Sequence, residues 1–201
     1  GIEMGQNLAS AGIYLIQTFI GLYVLMIMIR FLMQISRVDY YNPICQGIVK
    51  ITDPAIRPFR TVLPTIRGVD FASLTAAFIV QLIGIVMIML LSGNPLIHPV
   101  YFAWVAIGLF SMIFNIYFFA LIIMVISSWI APYSSHPALV LIHQITDPIC
   151  TPARKLLPPM GGLDLSIILV FAALHIIDDI LVIKPIAISL RIPAGLILGL
   201  P

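Results

Sequence analysis

The sequence predicts an all-α membrane protein: four transmembrane helices in two tandem parallel repeats, each repeat with an amphipathic interfacial helical loop. Three observations carry this. Of 201 residues, 61% are hydrophobic and 9% charged, and the mean hydropathy is +1.14; a soluble domain carries about 25% charged residues. Four apolar runs each approach the roughly 20 residues that a bilayer requires of a helix. The segments inside each pair of runs repeat one another at a spacing of 94 residues. The missing charge excludes an ordinary water-soluble globule, a disordered chain and a nucleic-acid binder of the basic-patch kind.

Span one covers about residues 8–32, broken by Gln17, Thr18 and, near its end, Arg30. Span two, 71–91, has Gln81 as its strongly polar interior residue, and the turn Ser92, Gly93, Asn94, Pro95 follows it. Span three, 100–130, is interrupted by Asn115, and span four, 165–183, carries His175, Asp178 and Asp179. The first repeat is thus 1–97, the second 98–183, and 184–201 is an apolar, proline-containing tail. Glu3 and the lack of Lys or Arg in the first twenty residues do not fit the basic start of a signal peptide. Cys45 and Cys150 lie in no CxxC pattern, so neither a metal site nor a disulfide framework is expected.

Lys and Arg are retained on the cytoplasmic side of a membrane. Arg37, Lys50, Arg57, Arg60 and Arg67 follow span one, with Arg30 at its edge, and Arg154 and Lys155 follow span three; the other side has Lys184 and Arg191. The expected placement is a bacterial cytoplasmic (inner) membrane, multi-pass, N-out and C-out, with both loops cytoplasmic.

The repeat rests on residues that chance does not supply. Ile51-Thr52-Asp53-Pro54 becomes Ile145-Thr146-Asp147-Pro148, and at the same spacing Pro43 matches Pro137, Pro58 Pro152, Arg60 Arg154, Pro64 Pro158, Gly68 Gly162 and Asp70 Asp164. Two spans per unit is an even number, so the second copy enters the membrane as the first does.

Each loop reads as a membrane-surface elbow. A short helix from Pro43 to Ile51, or Pro137 to Ile145, puts Ile44, Ile48 and Ile51 on one face. Asp53 and Asp147 are then expected to cap a second short helix, with Pro54 and Pro148 at its first position, where a missing N–H costs nothing. Pro58 and Pro152 remove that helix's first backbone bond and predict a kinked or 3₁₀-like turn. Pro64 and Pro158 stop it, Gly68 and Gly161-Gly162 turn the chain back, and Asp70 and Asp164 cap spans two and four.

These residues resemble the YggT (YlmG) family of bacterial membrane proteins. The first copy supplies Asn42-Pro43, Thr52-Asp53-Pro54, Pro58, Arg60, Leu63-Pro64, Gly68, Asp70 and Ser73. The second supplies Ser128-Trp129, Pro137, Asp147-Pro148, Pro152, Arg154, Leu157-Pro158 and Met160-Gly161-Gly162-Leu163-Asp164, so that residues 8–183 are covered. The resemblance implies a small polytopic protein, with relatives linked to cytochrome complex assembly, nucleoid distribution and osmotic tolerance. It brings no catalytic residues.

An ionisable group inside a membrane is costly and points to function. His175 falls opposite Gln81 at the repeat spacing, and an interhelical hydrogen bond between polar residues of the two copies is the expected use. His98, His136 and His143 lie at span ends or in the loop, so no pair has ligand spacing and no cofactor is expected. Asp178 and Asp179 lie roughly 20 Å beyond Asp164 at 1.5 Å per residue. They read as a helix end, against a cation or proton site shared with Gln17 or Asn115. Lys50, Arg57, Arg67 and Lys155 are expected to contact anionic headgroups or a partner. No nucleophile with its base, phosphate loop or zinc motif is legible, which argues against an enzyme.

Two roles remain. A scaffold, assembly or accessory subunit would pack its elbows and spans against a larger integral membrane protein complex. An oligomeric ion or osmolyte transport component would use His175, Asp178 and Asp179.

Overall fold

The computed structural model describes residues 1–157, 166–181, 183–189 and 191. Its elements are α1 (Ile2–Ile35), α2 (Pro43–Arg60), β1 (Thr65–Ile66), β2 (Val69–Asp70), α3 (Phe71–Leu91), α4 (Val100–Ile130), α5 (Pro137–Leu156), α6 (Ser166–His175), a π-helical turn (Ile176–Leu181) and α7 (Ile183–Ser189). Among the described residues, α1, α3 and α4 are long and apolar enough to cross a membrane. The chain is a mostly helical, multi-pass membrane protein.

The helix ends follow local chemistry. α1 is an apolar run without proline that stops at Ser36, after which Arg37 takes φ 54°. α3 opens on Asp70, whose carboxylate accepts the Ser73 N–H, and closes before Gly93 at φ 78°. Small residues Ala72, Ala76 and Ala77 of α3 are fully buried in the same core as Val24, Ile27, Met28 and Leu32 of α1. Small side chains let membrane helices approach closely, where dispersion contacts replace the hydrophobic drive. Tyr101, Val105, Met112 and Leu121 of α4 complete this core.

The structure corrects the elbow. The two short helices expected around Asp53 are one helix, α2, which runs through Pro54 and Pro58; likewise α5 runs through Pro148 and Pro152. Asp53 and Asp147 therefore cap nothing. Asn42 caps α2, accepting the Ile44 N–H at 2.9 Å, and His136 caps α5, its Nδ1 accepting the Ala138 N–H at 3.1 Å; Pro43 and Pro137 take the first helical positions. α2 ends at Arg60, before Pro64 can stop it. Within α2, Cys45, Thr52 and Ile56 are buried, while Ile44 and Ile51, on the face expected to lie at the membrane surface, are exposed.

Two further elements differ from the expectation. The chain is not purely helical, because β1 and β2 form an antiparallel hairpin with Thr65 opposite Asp70 and Ile66 opposite Val69. Its two-residue turn has Arg67 at φ 52° and Gly68 at φ 83°, the left-handed pair that matches strand twist. The helix expected over 165–183 is, among the described residues, α6 followed by the π-helical turn that holds Asp178 and Asp179, with α7 as a separate helix from Ile183. Pro158, Gly162 and Asp164 lie outside the described residues.

Candidate functional site

The densest polar network lies where α1, α2 and α3 meet. Proline inside a helix removes one backbone bond and pushes the preceding turn open. At Pro54 this frees the Lys50 carbonyl, and α1 supplies donors to the carbonyls on either side. Tyr23 Oη donates to Ile51 O at 2.9 Å, and Arg30 Nη1 donates to Val49 O at 3.3 Å. The same Arg30 nitrogen reaches Thr52 Oγ1 at 3.1 Å and Asp53 Oδ1 at 2.5 Å. Thr52 is fully buried and returns its own hydroxyl to Ile48 O at 2.7 Å. Arg57 touches the other Asp53 oxygen at 3.5 Å but is 77% exposed, so Arg30 is the partner that matters.

A second ion pair fixes the far end of α2. Arg60 Nη2 donates to Asp70 Oδ2 at 2.9 Å, and Ser73 Oγ donates to the same oxygen at 2.6 Å. Burial pushes the Asp70 carboxyl up, but the Ser73 hydroxyl, the Arg60 guanidinium and the Ser73 N–H together hold it below the usual carboxylate range. One carboxylate thus caps α3, closes the hairpin and anchors α2. Tyr40, beside this corner, has its phenol pushed up by burial, against the pull of Arg30.

The junction of α4 and α5 is built differently. Position 30 corresponds to Met124 at the repeat spacing, and Thr146 Oγ1 donates to Met124 Sδ at 2.9 Å and to Ile142 O at 2.9 Å. Asp147 is 58% exposed and meets Arg154 at 3.4 Å. Where Arg30 joins α1 to α2 through a charge, Met124 and Thr146 join α4 to α5 without one. The two elbows also touch: Asn42 Nδ2 donates to Pro137 O at 2.8 Å, and the Asp39 N–H donates to Gln144 Oε1 at 3.2 Å.

The polar groups along the spans do not converge. Gln81 is fully buried in α3, and neither amide atom has a hydrogen-bond partner among the described residues. His175 Nδ1 pairs with Asp179 at 2.8 Å within its own helix and is 61% exposed. The interhelical bond expected between these positions is therefore absent, because the π-helical turn brings an acid of the same segment to the imidazole first. Gln17 is half-buried in α1, Asn115 borders a groove between α1, α2, α4 and α5, and Asp178 sits in the π-helical turn. Lys50, Arg67 and Lys155 are exposed, Arg67 at the hairpin tip.

Arg30 and Tyr23 carry roles that the sequence reading missed. A signal existed for Arg30: an arginine within an apolar span needs a carboxylate or carbonyl partner, and the segment that follows offers three acids, Asp39, Asp53 and Asp70. Tyr23 gave no signal beyond being a phenol inside a span.

The sequence profile of the CCB3/YggT family matches residues 9–91 and again 103–184. An uncharacterized protein of Pseudomonas aeruginosa is 42% identical over 192 residues, covering 94% of this chain and 97% of its own length. The uncharacterized YggT protein of Escherichia coli K12 is 37% identical over 169 residues, 82% of this chain and 86% of its own. A protein of Vibrio alginolyticus is 35% identical over 167 residues, with 81% and 88% covered. No solved structure matches the chain. By profile and by relatives alike, the chain belongs to the CCB3/YggT family.

Proposed function

We propose that the chain is a non-enzymatic scaffold, assembly or accessory subunit of the bacterial inner membrane, packing against a larger integral membrane protein complex. The observation that carries this reading is where the polar chemistry is spent. Arg30, Asp53, Arg60 and Asp70 all hold the α1–α2–α3 corner rigid, while the grooves between the helices are apolar. One is lined by Phe31, Leu74, Phe78 and Phe110 among others, with Thr75 as its polar member. A rigid corner with apolar flanks suits docking better than passage of a solute.

In this reading the chain has four spans, the fourth built from α6, the π-helical turn and α7. Two parallel copies put α2 and α5 together on the cytoplasmic side, N-out and C-out. Three things support it: the two stretches matched by the family profile, the basic residues of both loops, and the contact of Asn42 with Pro137. Exposed Lys50, Arg57, Arg67 and Lys155 then face anionic headgroups or the partner. Copurification from native membranes in mild detergent tests it. A stoichiometric larger membrane protein is expected; a homo-oligomer that conducts solute in liposomes would contradict it.

One observation favours an ion or osmolyte transport component instead. His175 and Asp179 are paired, and Asp178 and Asp179 sit in a π-helical turn; such turns occur often at functional sites.

A further inference from the structure

α6 packs one side inward and leaves the other uncovered. Ser166, Val170 and Leu174 are buried, whereas the opposite face, from Ile168 through Ala172 to His175 and Ile176, is exposed. The His175 side chain is 61% exposed, and its Nδ1 donates to Asp179 Oδ2 at 2.8 Å. That bond leaves Nε2 of the neutral imidazole as an acceptor, and no residue among those described meets it. Phe171, one turn before His175, packs against Phe118 of α4 with ring centroids 5.5 Å apart. In the four-span reading α6 runs antiparallel to α4. His175, about 6 Å beyond Phe171 at 1.5 Å per residue, then stands level with the middle of α4 (Val100–Ile130), near the bilayer midplane.

We propose that this face of α6 docks a transmembrane helix of the larger complex, and that the docked helix carries a hydrogen-bond donor (a hydroxyl, an amide or a cationic side chain) opposite His175. The inference deepens the scaffold reading and rests on it. Ionisable residues within a bilayer face the interior of a helix bundle or a polar partner, and neither lipid tails nor the neighbouring Ile168 and Ile176 offer a donor. Ala172 and Ala173, both exposed on this side, are small enough to let a second backbone approach until a side chain of ordinary length reaches Nε2. A second copy of the chain does not match: a two-fold contact through this face would set one Nε2 acceptor against another. Hydrogen-bond complementarity therefore selects a different helix.

The test places a photoreactive phenylalanine analogue at Ile168 of the full chain in its native membrane and identifies the cross-linked peptides by mass spectrometry. One other integral membrane protein is expected, joined through an apolar span that holds a donor side chain about two turns from the cross-link. His175→Leu removes the acceptor and should lower the yield about fivefold, whereas His175→Gln keeps an acceptor and should restore it. Ala172→Trp fills the face without touching the His175–Asp179 pair and should abolish the cross-link. Should His175→Leu fail to fold, Ala172→Trp reads the same face. Undiminished yield in both variants overturns the inference, as does cross-linking to lipid alone or to a second copy of the chain. If the parent copurifies with a larger membrane protein that Ile168 never reaches, the docking face fails and the scaffold reading stands. If no larger protein copurifies, both fail.

Discussion

Arg30, near the end of α1, is bonded to Asp53 in the middle of α2, 23 residues later, with side chains 11% and 23% exposed. The pair sits beside Pro54, and Arg30 also donates to the Val49 carbonyl at 3.3 Å. A loop helix is thereby fixed to a membrane span by one guanidinium. Breaking a buried pair from one side leaves an uncompensated charge, which costs more than the pair contributes.

Arg30→Met gives the first copy the residue that the second copy has at Met124. It should destabilise the protein by about 2 kcal/mol, because the Asp53 carboxylate loses its partner while partly buried. Adding Asp53→Asn should recover much of the loss. Unfolding in mixed micelles measures both, and full stability of the single variant would show that Arg57 alone suffices for Asp53.

Asp70 gives the protein a defined acid sensitivity. Its folded carboxyl titrates below the ordinary value of 3.8, so its contribution is complete above about pH 4 and fades as pH falls through the depressed folded value. Asp70→Asn keeps an N-cap but not the charge. Near neutral pH the variant should melt lower than the parent, and below pH 4 the two curves should converge. Parallel curves across that range would remove Asp70 from the linkage.

Gln81 is buried without a partner among the described residues, a state that costs about 1–3 kcal/mol. Gln81→Leu should therefore raise the melting temperature of the isolated protein. A lower melting temperature would mean that the amide is bonded in the folded protein.

The segment from His175 to Asp179 separates the two functional readings. His175→Gln with Asp178→Asn and Asp179→Asn keeps polar contacts while removing charge and titration. Scaffold function predicts that folding and partner binding survive. Loss of osmotic tolerance, at parental expression and with partner binding intact, would favour transport.

Much of this architecture was readable from chemistry local to a few residues. The α3 and α4 bounds coincide with the apolar runs 71–91 and 100–130, since Asp70 and the Ser92 to Pro95 turn punctuate them in sequence. The unity of α2 was not readable, because Pro54 and Pro58 read locally as breaks, and the donors that Tyr23 and Arg30 bring to the nearby carbonyls come from another element. The hairpin was hidden by its size: four strand residues and an Arg67-Gly68 turn leave no period to detect. In the candidate site, Asp53 and Asp70 were both expected as helix caps, and Asp70 does cap α3; which of the loop's acids Arg30 takes was not legible without the fold.

The claim that organises the account is the parallel duplication, with both elbows on one side of the membrane. Single cysteines at Thr65 and Ser135, in a chain lacking Cys45 and Cys150, can be probed in intact spheroplasts with an impermeant maleimide. The account predicts that both are protected from outside and that both react once the membrane is opened. Labelling of one from outside while the other stays protected would contradict it.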